Sequence, residues 1–284
     1  MTPTPRHAAS DATTEGTVSA LSAVIEEFSG NIGVLPNFAL QIAKQSMTRT
    51  EYLLLQDPAA ENESTNSSLL LAAQAGSAFF AAANTDEEEF NYVVGSQLSI
   101  KSIRPTSNHD PANWLNALWA SVICRARHLV DDLCQFPVET LRSAGGTFDE
   151  YMYAWVEALQ TYFRGEDELY PKINRSIELT DPDSLQHATP EIALYRYYPT
   201  MKLLFNLAAG KAEQFNADLQ ESVELHQSFW TANHERSIKP EGFFALGPTA
   251  LAAVAHDTGM AVGYQSDYLP KHFIDGAGMP RTAD

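Results

Sequence analysis

The chain has 284 residues, 44% hydrophobic and 19% charged, a length and composition sufficient for a sizeable buried core. Its 36 acidic residues outnumber 18 basic ones and give a net charge of −18. That balance repels the phosphates of nucleic acid and of anionic membranes and favours encounter with a basic partner, so neither nucleic acid nor membrane is an expected target.

The first stretch, MTPTPRHAASDATTEG, is rich in Thr, Pro and Ala and has no apolar run. Residues 1–15 therefore read as a disordered tail, neither secretory signal nor membrane anchor. Residues 16–284 read as one α-helical domain, expected in the cytoplasm, with no segment approaching the roughly 18 to 20 apolar residues of a membrane helix. TVSALSAVIEEF predicts a first amphipathic helix and FALQIAKQSMTRTEYLLLQ a second. SSLLLAAQAGSAFFAAAN reads as a buried helix in which Gly76 and many alanines allow close packing. FNYVVGSQLSI breaks the helical pattern. Its β-branched and aromatic residues flank Gly95-Ser96, which predicts a hairpin of residues 90–94 and 97–103 with a two-residue type II′ turn.

Residues 110–163 form the organising stretch. Asp110-Pro111 is an N-cap with proline at the first helical position. Trp114, Leu115, Ala117, Leu118, Ser121, Val122 and Cys124 then recur at helical spacing, and the helix is expected to run on until Gln135-Phe136-Pro137 closes it. Thr147 with Glu150 suggests a capping box for a second helix carrying Tyr151, Ala154, Trp155, Ala158, Leu159 and Tyr162 inward. Further on, Thr189-Pro190 starts a helical run that Pro199 should kink. KAEQFNADLQESVELHQSFWTANHERS is a long amphipathic helix, and GPTALAAVAHDTGM a small-residue, buried one. The fold class is therefore all-α, stacked helical hairpins as a solenoid-like array or bundle, with one small β-hairpin near residues 90–103.

Phosphate-binding loops, nucleophile elbows, HExxH and CxxC are all missing, and no catalytic residue or cofactor is expected. Cys124 and Cys134 read as buried free thiols. Weak metal candidates are His226 and His234, eight residues apart on one expected helix, with His256-Asp257 on a later one; each histidine also reads as hydrogen-bonded at the edge of the core. His128, Asp131 and Asp132 share one helical face, a pattern that fits an acid–base pair or an ordinary solvated turn. Two acidic runs stand out, Asp86-Glu87-Glu88-Glu89 before the hairpin and Glu166-Asp167-Glu168 after the second central helix.

The segments NWLNALWASVICR and FPVETLRSAGGTFDEYMYAWVEALQTYF, with ELHQSFWTANHERS, AHDTGM and SDYLPKHFID, resemble the Immunity-49 family of bacterial polymorphic-toxin immunity proteins, over roughly residues 65–275. The resemblance implies a cytosolic protein that binds and silences a cognate toxin without chemistry of its own. Its motif residues look like fold determinants, so it assigns no interface residue. Charge supplies the candidates: Asp86, Glu87, Glu88, Glu89, Asp131, Asp132, Glu166, Asp167 and Glu168 as the surface for a cognate toxin domain, with a basic nuclease as the partner suggested by charge alone. The alternative is an enzyme or a small-molecule or metal binder on the same scaffold, which would need His226, His234 and His256, or His128 and Asp131, to converge.

Overall fold

A computed structural model describes residues 3–7 and 14–279. These are predominantly helical, with one antiparallel hairpin. Helices α1 (Thr14–Ser29), α2 (Phe38–Leu53), α3 (Glu63–Ala82) and α4 (Pro111–Ile123) pack each on the next. The close approach of α3 to α4 depends on a missing side chain. A Cβ at Gly76 would lie 2.8 Å from the Ala117 Cβ, closer than real contacts allow.

Strands β1 (Glu89–Val94) and β2 (Ser96–Lys101) lie against α3. Their register pairs Val94 with Ser96, leaving Gly95 alone at the apex with φ 70°. The turn is thus one residue tighter than the expected two-residue type II′. The reason lies in α3: Gln74 Oε1 accepts the Gly95 N–H at 2.9 Å and ties the apex down.

Helix α4 is the centre of the molecule, touching α3, α5 (Arg127–Gln135), α7 (Glu150–Arg164) and α13 (Leu246–Asp257). Its N-cap is as expected, with Asp110 Oδ1 accepting the Asn113 N–H at 2.8 Å. Every apolar residue predicted to face inward from Trp114 to Cys124 is buried, and Trp119 meets Trp155 of α7 at 6.2 Å between ring centroids. The expected continuous helix instead breaks after Ile123, because Arg125 adopts a left-handed backbone, φ 55°. There its guanidinium grips Asp257 at the end of α13 and the carbonyls of Phe273 and Ile274 in α14 (Lys271–Asp275). Cys124 and Cys134, on either side of this break, are buried free thiols.

The capping box at Thr147 does not form. Helix α7 begins two residues later, with Asp149 as N-cap, and that carboxylate accepts the backbone N–H groups of Gln186, His187 and Ala188. Glu150 pairs with Arg142 of the short helix α6 (Val138–Ser143). After α8 (Leu169–Glu178), α9 (Pro190–Ile192) runs through a π-helical turn, Ala193–Tyr197, into α10 (Tyr198–Ala208). The widened turn sits just ahead of Pro199 and absorbs the disruption expected there. Helices α11 (Ala212–Thr231) and α12 (His234–Ser237) follow, and α11 buries Phe215, Leu219, Val223, Phe229 and Trp230.

The N-terminal segment departs from the expected tail where it is described. Thr4 bridges Ser266, Arg6 donates to the carbonyls of Leu54 and Asp267, and His7 Nδ1 lies 2.7 Å from the Tyr268 hydroxyl. All three anchors are polar, which is why hydrophobic patterning did not register them. Residues 8–13 lie outside the described residues. No described helix is long and apolar enough to cross a membrane.

Candidate partner-binding surface

Helix α5 stands between the two acidic runs. Its inner side buries Leu129, Val130, Leu133 and Cys134, and its outer side carries Arg127, His128, Asp131 and Asp132. At its C-terminal end Asn84, two residues before the first acidic run, donates to the Gln135 carbonyl at 3.4 Å. Arg164, two residues before the second run, donates to the Cys134 carbonyl at 2.6 Å. Side-chain bonds to two consecutive carbonyls of α5 therefore tether to its C-terminal end the segments that carry the two runs, whose outermost members, Asp86 and Glu168, lie 82 positions apart in the chain.

The nine candidate carboxylates are not equivalent. Asp132 accepts the Tyr92 hydroxyl at 2.6 Å, and that hydroxyl also meets Ser77 Oγ at 2.7 Å. Burial, reinforced by the Asp132 charge, pushes the Tyr92 phenol well above its ordinary range, so it remains a donor. Asp132 thereby pins the hairpin to α5, a structural role. Asp131 pairs with Arg127 at 2.9 Å, one helical turn away, Glu166 pairs with Arg164 at 3.0 Å, and Glu89 accepts Ser99 Oγ at 2.7 Å across the hairpin. Asp86, Glu87, Glu88, Asp167 and Glu168 are exposed, and their carboxylates have neither ion pair nor hydrogen bond among the described residues. Glu168 also holds a left-handed backbone, φ 66°, at the start of α8. Five free carboxylates around one short helix can receive Lys and Arg side chains without first breaking internal bonds.

The histidines do not converge. Among the described residues no three His, Cys, Asp or Glu side chains are grouped to hold a metal. His226 Nε2 bonds the Gly242 carbonyl at 3.0 Å, while His234 is exposed at the start of α12 and His256 contacts its neighbour Asp257 at 3.2 Å. Burial lowers the His226 pKa to about 3, the behaviour of a neutral, structurally bonded imidazole. His128 is exposed and makes no hydrogen bond to Asp131 or Asp132 among the described residues.

One acidic residue escaped the pattern of runs. Glu51 lies on the apolar stripe of α2, eleven residues after Leu40 and three before Leu54, and only 4% of its surface is exposed. A lone carboxylate in phase with an apolar stripe was the available signal.

A family model described as Immunity protein 49 matches residues 57–273. No curated protein and no solved structure matches the chain.

Proposed function

Since the chain belongs to the Immunity protein 49 family, we propose that it binds a cognate toxin domain in the cytoplasm and neutralises it by covering its active site or substrate path. The protein supplies no chemistry of its own. The binding surface is the acidic rim around α5, with Asp86, Glu87, Glu88, Asp167 and Glu168 meeting basic side chains of the toxin. Asp131 and Glu166 can exchange their internal arginines for those of the partner, whereas Asp132 and Glu89 serve mainly to hold the hairpin.

The single observation that carries this reading is the gathering of five unpaired carboxylates on elements bonded to one helix. In a chain of net charge −18 such a rim steers a basic partner and raises the association rate. A basic nuclease fits, since the protein would then cover the groove that receives phosphates. The test is capture of the tagged full chain from its native lysate followed by mass spectrometry. Co-purification of one multidomain protein with a basic terminal domain supports the proposal. Loss of that capture in Glu87→Lys/Glu88→Lys/Asp167→Lys assigns the surface, and undiminished capture removes these residues from it.

A further inference from the structure

A cavity of about 500 Å³ opens between α2, α4, the π-helical turn, α11 and the start of α13, well within the range that holds small organic ligands. It belongs to different elements from the acidic rim. On its wall sits Glu51, whose Oε2 is buried with no hydrogen-bond partner, and Trp230, whose Nε1 is equally unpartnered. Both residues are 4% exposed. A buried polar atom without a partner is costly, about 1–3 kcal/mol, and two on one cavity wall point to a molecule that completes them.

The other lining residues define that molecule. Trp119, Tyr197 and Phe244 provide flat apolar wall. Lys44 and Arg196 are exposed on the lining, against one exposed acid there, Glu241, and neither cation makes a salt bridge among the described residues. The π-helical turn is what places Arg196 there. Its guanidinium lies 5.0 Å from the Trp230 ring centroid and 5.5 Å from that of Phe229. An organic cation would need that aromatic face, and the protein's own cation already covers it.

We propose that this cavity binds a planar nitrogen heterocycle carrying an anionic group, the chemistry of a mononucleotide. The heterocycle edge, which offers both donor and acceptor atoms, meets the Glu51 carboxyl and the Trp230 N–H. The anionic group lies at Lys44 and Arg196. Burial, with the Glu241 charge adding to it and Arg196 opposing, holds Glu51 well above the usual carboxylate range. A protonated carboxyl presents one donor and one acceptor to a ring edge and does not repel the anion. The inference goes beyond toxin binding and does not depend on it.

The test uses the purified full chain, titrated calorimetrically with each of the four ribonucleoside 5′-monophosphates, with the matching nucleosides and with spermidine. At least one monophosphate is expected to bind, with its nucleoside weaker by at least tenfold. Lys44→Ala, at an exposed position that folding tolerates, should weaken it severalfold and Arg196→Ala at least tenfold. Glu51→Gln, which preserves a neutral donor and acceptor, should retain binding, and Glu51→Leu should lose it while circular dichroism stays unchanged. Absence of heat from all four monophosphates at about 1 mM, affinity unaltered in Lys44→Ala and Arg196→Ala, or preference for spermidine would each overturn the proposal.

Discussion

Arg125 is the point where a helix expected to be continuous is sacrificed for a tertiary bond, and its replacement gives a two-part prediction. The guanidinium makes a bidentate pair with Asp257, at 3.1 and 3.2 Å, and also donates to the Ile123, Phe273 and Ile274 carbonyls. Hydrogen bonds to charged groups contribute roughly 1.5–3 kcal/mol each when shielded. The side chain is 24% exposed and Asp257 45%, so solvent screens part of this, and the whole clamp is expected to contribute about 3 kcal/mol. Arg125→Ala should therefore lower Tm by about 6–12 °C. Alanine inherits the left-handed backbone at φ 55°, which costs an L-residue roughly 1–2 kcal/mol. Arg125→Gly loses the same clamp and relieves that strain, so it should be more stable than Arg125→Ala by about 1 kcal/mol. Urea denaturation of the three proteins measures both differences. An Arg125→Ala variant within about 0.5 kcal/mol of the parent would refute the clamp, and equal stability of Ala and Gly variants would refute the strain.

The two neighbouring aspartates of α5 should separate cleanly. Asp131→Asn breaks a solvated i,i+4 pair and should cost no more than about 0.5 kcal/mol, whereas Asp132→Ala removes the charged one of the two hydrogen bonds of the half-buried Tyr92 hydroxyl, Ser77 retaining the other, and should cost about 1.5 kcal/mol by urea denaturation. Stability should also depend on pH through two buried groups of the cavity region. Glu51 has its carboxyl raised by burial, so the folded state holds a proton the unfolded chain has released, and stability falls as pH rises above about 4.5. Glu51→Gln should thus be more stable than the parent at pH 8, with the advantage fading toward pH 4.5 in thermal melts; the nearby Glu241 and Arg196 charges remain in both proteins. His226, lowered to about 3, acts in the opposite sense. The unfolded chain takes up its proton first, so stability is lost as pH falls below about 6.5, by at most about 1.4 kcal/mol per pH unit. His226→Asn should flatten that limb of the stability profile. Finally, burial pushes both Cys124 and Cys134 thiols up to about 12, so neither should react with iodoacetamide at pH 8 in the folded protein, and both should after denaturation.

The elements legible in the sequence were those whose signal is local. The Asp110-Pro111 cap, the apolar spacing from Trp114 to Cys124 and the small-residue face around Gly76 each depend on neighbours within a few positions, and each appears as expected. The departures share a cause. Arg125, Asp149 and the Gly95 turn are all set by partners more than twenty residues away: Asp257, the 186–188 backbone and Gln74. Periodicity cannot see such bonds. Residues 3–7 were read as a tail for the same reason, because their anchors are polar and lie far along the chain, at Leu54, Asp267 and Tyr268. The acidic runs were visible as charge, but their gathering around α5 follows from the Asn84 and Arg164 side-chain bonds to consecutive carbonyls, which no pattern encodes. The cavity was legible only as one anomaly, a glutamate in phase with the apolar stripe of α2.

The central claim is that the free carboxylates around α5 receive a basic toxin domain. The most direct measurement is the association rate of the full chain with that domain, recovered by capture, as a function of ionic strength. It should be made for the parent and for a variant carrying Glu87→Lys, Glu88→Lys, Asp167→Lys and Glu168→Lys. The account predicts a parent rate that falls at least tenfold between about 20 and 200 mM salt, and a variant rate that starts at least tenfold lower and loses most of that dependence. Equal rates and equal salt dependence in the two proteins would contradict it.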